Sequence, residues 1–380
     1  MKLTQLIAPL ALASNALAWR CLCGYSVNRT TDQHFSYFTR IAETDFLHTD
    51  GTNPKLSIQA PGWAVDVGNT TAKQANSTLG SSQQLDNVVT NALPKGKWGV
   101  PPVGFGDAGL QLWVRHGVED GMVPVAGVRN ALSLGHDGKE KMLYGSYRAG
   151  IKFSGVNGTR GVFGCESKEG TRKQSISMAF AACDSKNLIF TVRDTEPQDQ
   201  KRDSLWELSF GSIFNFPEEF HEIRFDWMPD RIDFYIGDHL VFTQSETVPN
   251  LAGSLLLKQS LDDGCEDPPA HDAVMTVMYV KAYYNTTAHE GPLSTCYDDV
   301  EDNVCVVPDQ RTQPNPNGPK THFYSPVADD GEAEKHDDVN IGHVGYKQPD
   351  GPKNVASAAT LRNSVLFATG LLLVAVVRFL

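Results

Sequence analysis

The apolar residues of this chain keep a period of two. Leu110, Leu112 and Val114 alternate with Gln111 and Trp113, and Ile232, Phe234 and Ile236 alternate with Arg231, Asp233 and Tyr235. Successive side chains of a strand point to opposite faces, so this period marks strands with one buried face. A longer run, 273–284, is rich in Val, Met and Tyr. Turn residues separate the runs, as in GHDGKE (135–140) and SKEGTR (167–172). Helix-period runs are scarce, and no longer repeat is visible. The pattern predicts an all-β chain, a two-sheet sandwich or jelly roll.

The ends read as addresses rather than as fold. Lys2, an apolar stretch from Leu6 to Leu17 and the close Ala16-Leu17-Ala18 have the order of a secretory signal peptide, so residues 1–18 are set aside and Trp19 opens the mature chain. At the other end, Val365 to Val377 carries no charge and is short of the roughly 20 residues a spanning helix needs. Small residues and a polar spacer precede it. Residues 354–380 therefore read as a glycosylphosphatidylinositol attachment signal, with Asn354 or Ser357 as the lipid attachment residue and a short tail-anchor helix as the rival. Such a chain would reach the cell surface through the secretory pathway and sit at the outer face of the plasma membrane or in the wall.

Composition narrows the partners. The formal charge is −12, which argues against nucleic acid because phosphate binding needs a basic face. Five sequons, at Asn28, Asn69, Asn76, Asn157 and Asn285, mark glycosylation candidates on surface loops. There are seven cysteines. An oxidising compartment favours disulfides, and the odd number leaves one cysteine over. Cys296 and Cys305 are close enough to staple the end of the domain, within a Cys-containing tail at 291–307. Cys21-Leu22-Cys23 lacks a second ligand pair of matching spacing, so neither a metal nor any other cofactor is implied. Residues 308–353 hold seven prolines, five glycines and acidic clusters, with too few large apolar residues for a core. That stretch reads as a disordered stalk. Residues 19–290 remain as the folded domain.

Two segments carry a family resemblance. YGSYRAGIKFSGVNGTRGVF spans Tyr144 to Phe163, and FHEIRFDWMPDRIDFYIGDHLVF spans Phe220 to Phe242, followed by Pro249-Asn250-Leu251-Ala252-Gly253 and VMTVMYVKAYYN. Together they resemble fungal glycoside hydrolase family 16, the laminarinase and lichenase-like β-glucanases with a concanavalin A-like jelly roll. The resemblance implies a retaining mechanism on β-glucan from an E-x-D-x-E strand. Alternate strand residues share a face, so that motif aims three carboxylates into one cleft, and a pair about 5–5.5 Å apart gives retention.

The equivalent strand here reads Ser175-Ile176-Ser177-Met178-Ala179-Phe180. Ile176, Met178 and Phe180 have the core-facing pattern. The resemblance then puts the nucleophile at Ser175, the assisting aspartate at Ser177 and the acid/base at Ala179, and no catalytic residue is expected there. Positioned proton transfer is worth about 10²–10⁴-fold, so family turnover is not expected. Glu166 and Glu169 read as flanking the turn at Gly170, and offer a displaced acid pair as the alternative. Leu261-Asp262-Asp263-Gly264 stands where the family often has Trp-Ser-Asp-Gly. Candidate carbohydrate-binding residues are Trp113, Tyr147, Phe163, Trp206 and Asp262, while Trp227 reads as structural. The implied function is a non-catalytic, polysaccharide-binding surface protein. An active β-glucanase or transglycosylase and a purely structural glycoprotein are the alternatives.

Overall fold

Apart from one 3-10 turn at Leu85–Asn87, the regular structure of the described residues is β. The computed structural model describes residues 24–27, 37–49, 62–70, 79–94, 100–102, 104–130, 141–183, 187–195, 201–208, 214–262, 265, 267–286, 305–309 and 314, with the side chains of 187 and 201–208 left out. The signal-peptide, attachment-signal and Cys296 assignments, and almost all of the stalk, lie outside these residues. Among the described residues no helix is long and apolar enough to cross a membrane.

In chain order the strands are β1 (Tyr25–Ser26), β2 (Tyr37–Phe38), β3 (Arg40–Asp45), β4 (Trp63–Val65), β5 (Gly68–Thr70), β6 (Gly80–Gln83), β7 (Val88–Asn91), β8 (Gly109–Val114), β9 (Met122–Asn130) and β10 (Leu143–Lys152). There follow β11 (Thr159–Glu169), β12 (Arg172–Ala181), β13 (Asn187–Thr195), β14 (Lys201–Leu208), β15 (His221–Trp227), β16 (Ile232–Ile236), β17 (His239–Gln244), β18 (Ser254–Leu261), β19 (Ala273–Asn285) and β20 (Cys305–Val306). An eight-stranded sheet runs β17-β16-β15-β10-β19-β8-β7, with β3 also on β19. A nine-stranded sheet runs β14-β13-β12-β11-β18-β9-β6-β5, with β4 also on β9. A small sheet, β2-β1-β20, joins the first described strand to the last.

The two large sheets pack face to face, which is the sandwich the alternation called for. Leu110 and Leu112 of β8, and Ile232, Phe234 and Ile236 of β16, enter one core with Ile176, Met178 and Phe180 of β12. Aromatic pairs cross between the sheets: Phe163 meets Phe225 at 5.4 Å and Phe190 meets Phe234 at 4.9 Å between ring centroids. A buried Phe contributes roughly 1.5–3 kcal/mol from lost apolar surface. Trp227 is structural: it is 1% exposed and its Nε1 donates to the Pro249 carbonyl at 2.8 Å.

The outer face of the eight-stranded sheet is covered in part by the first and last described strands and by residues 307–309. Val307 joins Tyr25, Phe38, Met228 and Tyr283 in a second apolar cluster. Arg148 Nη1 donates to the Pro308 carbonyl at 2.6 Å, and Arg224 Nη1 pairs with Asp309 at 2.6 Å. Pro308 and Asp309, assigned from composition to the stalk, are therefore part of the folded domain. Two buried arginines supply the contacts that composition cannot show.

One buried histidine ties this packing to pH. His221 begins β15 and is 4% exposed, between Phe216 and Phe214 at 4.8 and 5.6 Å. Burial lowers its pKa, against a smaller opposing pull from Glu219. The unfolded chain thus takes up a proton that the folded chain refuses. The stability this gives is full above the ordinary histidine value of about 6.5 and is lost as pH falls through the lowered one. Calorimetry between pH 7.5 and 5 should show the melting temperature dropping over that window, and His221→Phe should flatten the drop. An equal drop in both proteins would contradict the assignment.

Candidate functional site

β11 and β12 form a hairpin closed by Gly170 and Thr171, with Gly170 at φ +58°, a conformation that suits glycine in tight turns. The ladder pairs Cys165 with Ile176, Glu166 with Ser175, Gly164 with Ser177 and Val162 with Ala179. This corrects the sequence reading of the turn: Glu166 and Glu169 belong to the strand, paired with Ser175 and Arg172. A two-residue turn lets β11 run on to Glu169.

Alternation then sorts the side chains. Ile176, Met178 and Phe180 enter the core, and Ser175, Ser177 and Ala179 take the outer face of the nine-stranded sheet. Ser175 and Ser177 are half-buried, whereas Ala179 is 0% exposed. Gly164 keeps the floor low beside Ser177, since a Cβ there would meet the Ile176 carbonyl at 2.4 Å and Ser177 Cβ at 2.8 Å. β13 adds Arg193, Thr191 and Ile189 opposite Ser175, Ser177 and Ala179. On the other side, β18 sets Ser254, Leu256 and Lys258 against Glu166, Gly164 and Val162, and β9 sets Arg129 against Leu256.

Glu166 and Asp66 are the carboxylates that the described side chains bring to this part of the face. Arg129 engages both: its Nη2 lies 3.1 Å from Glu166 Oε2 and 3.6 Å from Asp66 Oδ2. Burial pulls the Arg129 pKa down, but the two carboxylates outweigh it and the net direction is up. The guanidinium occupies the gap between them. The backbone of β14 pairs Asp203 with Arg193 and Glu207 with Ile189, and their side chains lie outside the described set. Near the β5–β6 edge, Val67, Asn69, Ser82, Gln83 and Asp86 line an open depression.

The aromatic candidates do not assemble on this floor. Tyr147 and Phe163 are 0% exposed and belong to the core, so neither can serve as a sugar platform. Tyr147 stacks on Phe225 at 5.0 Å. Trp113 lies on the outer face of the other sheet, with the Arg115 guanidinium 4.2 Å over its ring. Trp206 pairs in the backbone with Phe190, and its side chain lies outside the described residues. Asp262 is 7% exposed and follows β18, beside the Cys183–Cys265 disulfide.

That disulfide was not foreseen. It joins the segments after β12 and β18, 82 residues apart in sequence, with Cα atoms 5.8 Å apart. Cys183, Asp262 and Cys265 have the closeness of metal ligands, but two bonded sulfurs offer no thiolate. Cys305 is also disulfide-bonded, with its partner outside the described residues. Cys165 is free and buried, and burial pushes its thiol up to about 12, so it offers no reactive thiolate.

The sequons divide. Asn69 and Asn157 are exposed, Asn157 in the turn before β11. Asn285 is 7% exposed; its Oδ1 accepts from the Thr39 N–H at 3.0 Å and its Nδ2 donates to the Tyr37 carbonyl at 3.0 Å. The nitrogen that a glycan would need is built into the β2–β19 junction, so Asn285 is corrected from a surface acceptor to a structural residue. Asn28 and Asn76 lie outside the described residues.

Residues 97–252 match the family model described as Glycosyl hydrolases family 16. No curated protein matches the chain. Among solved structures, a Bacillus licheniformis beta-glucanase is 14% identical, with a TM-score of 0.47 over 65% of this chain and 99% of that one. The LamA catalytic domain of Zobellia galactanivorans is 15% identical, with a TM-score of 0.47 over 66% and 98%. A Mycobacterium tuberculosis protein described as an immunostimulatory antigen and pseudo beta-1,3-glucanase is 15% identical, with a TM-score of 0.47 over 65% and 99%. The strand bearing Ser175, Ser177 and Ala179 lies inside the segment that is similar to glycosyl hydrolases family 16.

Proposed function

We propose that this protein binds a wall polysaccharide of the β-glucan class without cutting it, at the cell surface and under a lipid anchor. The observation that carries the reading is the outer face of β12, where the residues equated with nucleophile, assisting acid and acid/base are Ser175, Ser177 and Ala179. A seryl hydroxyl needs a base to become a nucleophile, and a methyl group moves no proton. Hydroxyls and backbone remain suited to bonding sugar hydroxyls. The signal-peptide pattern, the exposed Asn69 and Asn157 sequons and the disulfides support a secreted setting.

A hydrolytic reading has one observation behind it: Glu166 stands opposite Ser175, and Asp66 lies across Arg129 from it. Retention needs the anomeric carbon between two carboxylates, and here a guanidinium takes that place. The test is incubation of the purified protein with laminarin, lichenan and chitin oligosaccharides, with reducing ends followed, beside retention on insoluble glucan. Retention without turnover is expected. Turnover at rates usual for glycosidases, lost in Glu166→Gln, would establish the hydrolytic reading instead.

A further inference from the structure

Among the described residues Phe105 is 97% exposed, the largest exposure of any bulky apolar side chain. Its loop joins β7 to β8 and is held by two amide side chains. Asn91 Oδ1 accepts the Gly104 N–H at 2.7 Å, and Asn91 Nδ2 donates to the carbonyls of Phe105 at 3.0 Å and Asp107 at 2.9 Å. Gln111 Nε2 donates to the same two carbonyls at 3.0 and 2.9 Å. Lys152 pairs with Asp107 at 2.9 Å. Asn91 and Gln111 are themselves 2% and 3% exposed. Buried amides must be bonded, and these two direct their bonds to the loop backbone. The fold thus fixes the backbone in a shape that keeps a phenyl ring in water.

The ring's position is as informative as its exposure. Leu110 and Leu112 of β8 point into the core, so Gln111, and with it the loop, lies on the outer face of the eight-stranded sheet. That is the side away from Ser175. The flanking residues are Gly104 and Gly106, which add no side chain of their own beside the ring. A second copy or another protein needs a broad, continuous patch. An anionic bilayer would meet a chain of charge −12. A pyranose fits: one face is a patch of C–H groups the size of a phenyl ring, and its hydroxyl rim would find the Asp107 carboxylate and the Lys152 ammonium close by.

We propose that Phe105 is a glycan-stacking residue, forming a second carbohydrate contact on the face opposite the Ser175 strand. The ligand class rests on the polysaccharide reading above; the residues are separate from it. Because the ring makes no packing contacts, Phe105→Ala should leave the melting temperature unchanged. Retention of the purified full chain on insoluble β-1,3-glucan is expected to fall at least threefold in Phe105→Ala and to hold in Phe105→Trp. Ser177→Trp, which fills the other face, should lower retention independently. If Phe105→Ala binds like the parent while Ser177→Trp does not, the second contact is overturned and the first stands. If the parent binds no glucan of the panel, both are overturned. A Phe105→Ala loss confined to phosphatidylcholine vesicles, or to oligomer mass by light scattering, would also overturn it.

Discussion

Replacing Arg224 by alanine is expected to remove about 3–5 kcal/mol of folding stability, the usual cost of leaving a buried ion without its partner. Arg224 is 3% exposed and Asp226 is 2% exposed, and the two make a bidentate pair through Nε, at 2.7 Å, and Nη2. The guanidinium also stacks on Tyr235 at 4.2 Å. Alanine would strand the Asp226 carboxylate under the tail segment that holds Asp309. Asp309 is half-exposed, so Asp309→Ala should cost no more than about 1 kcal/mol. Urea unfolding measures both. A loss below about 1 kcal/mol in Arg224→Ala would mean that water reaches Asp226 and that the tail does not seal this face.

Trp227→Ala should cost about 3–5 kcal/mol, as large-to-small core changes do. The indole packs on Tyr144 at 5.4 Å and Tyr147 at 6.5 Å, and its hydrogen bond fixes the Pro249 carbonyl. Trp227→Phe keeps much of the packing and loses the bond, so about 1–3 kcal/mol is expected for the unpaired carbonyl. Unfolding midpoints in guanidinium would separate the two. Equal losses would show that packing carries nothing beyond the hydrogen bond.

These two residues also show where sequence reading succeeds and where it stops. Trp227 was legible as structural because its Trp-Met-Pro turn precedes an alternating strand. The core set of Ile176, Met178 and Phe180 was legible because one face of a strand must be apolar. The same logic cannot say which sheet a strand joins or which face a large aromatic takes. Tyr147 and Phe163 look alike as core residues or as sugar platforms until the neighbouring strands are in place. Glu166 was misplaced because a hairpin turn has no fixed length in sequence, and a change of length moves every partner along the ladder. Asn285 satisfies a sequon but lies where β2 meets β19, 248 residues from its bonded partner Tyr37. The Cys183–Cys265 bond and the Arg148 and Arg224 contacts with Pro308 and Asp309 are likewise long-range, and local composition holds no trace of them.

The pairing of Tyr25 with Cys305 and of Ser26 with Val306 has a consequence for biosynthesis. Strands made first must wait for strands made last. A nascent chain can zip the β11–β12 and β15–β16 hairpins as they emerge, but Tyr25, Phe38, Met228 and Tyr283 stay wet until Val307 has left the ribosome. The final closure therefore waits until the whole folded domain has been made, and a chain halted before residue 305 would present that greasy seam to chaperones.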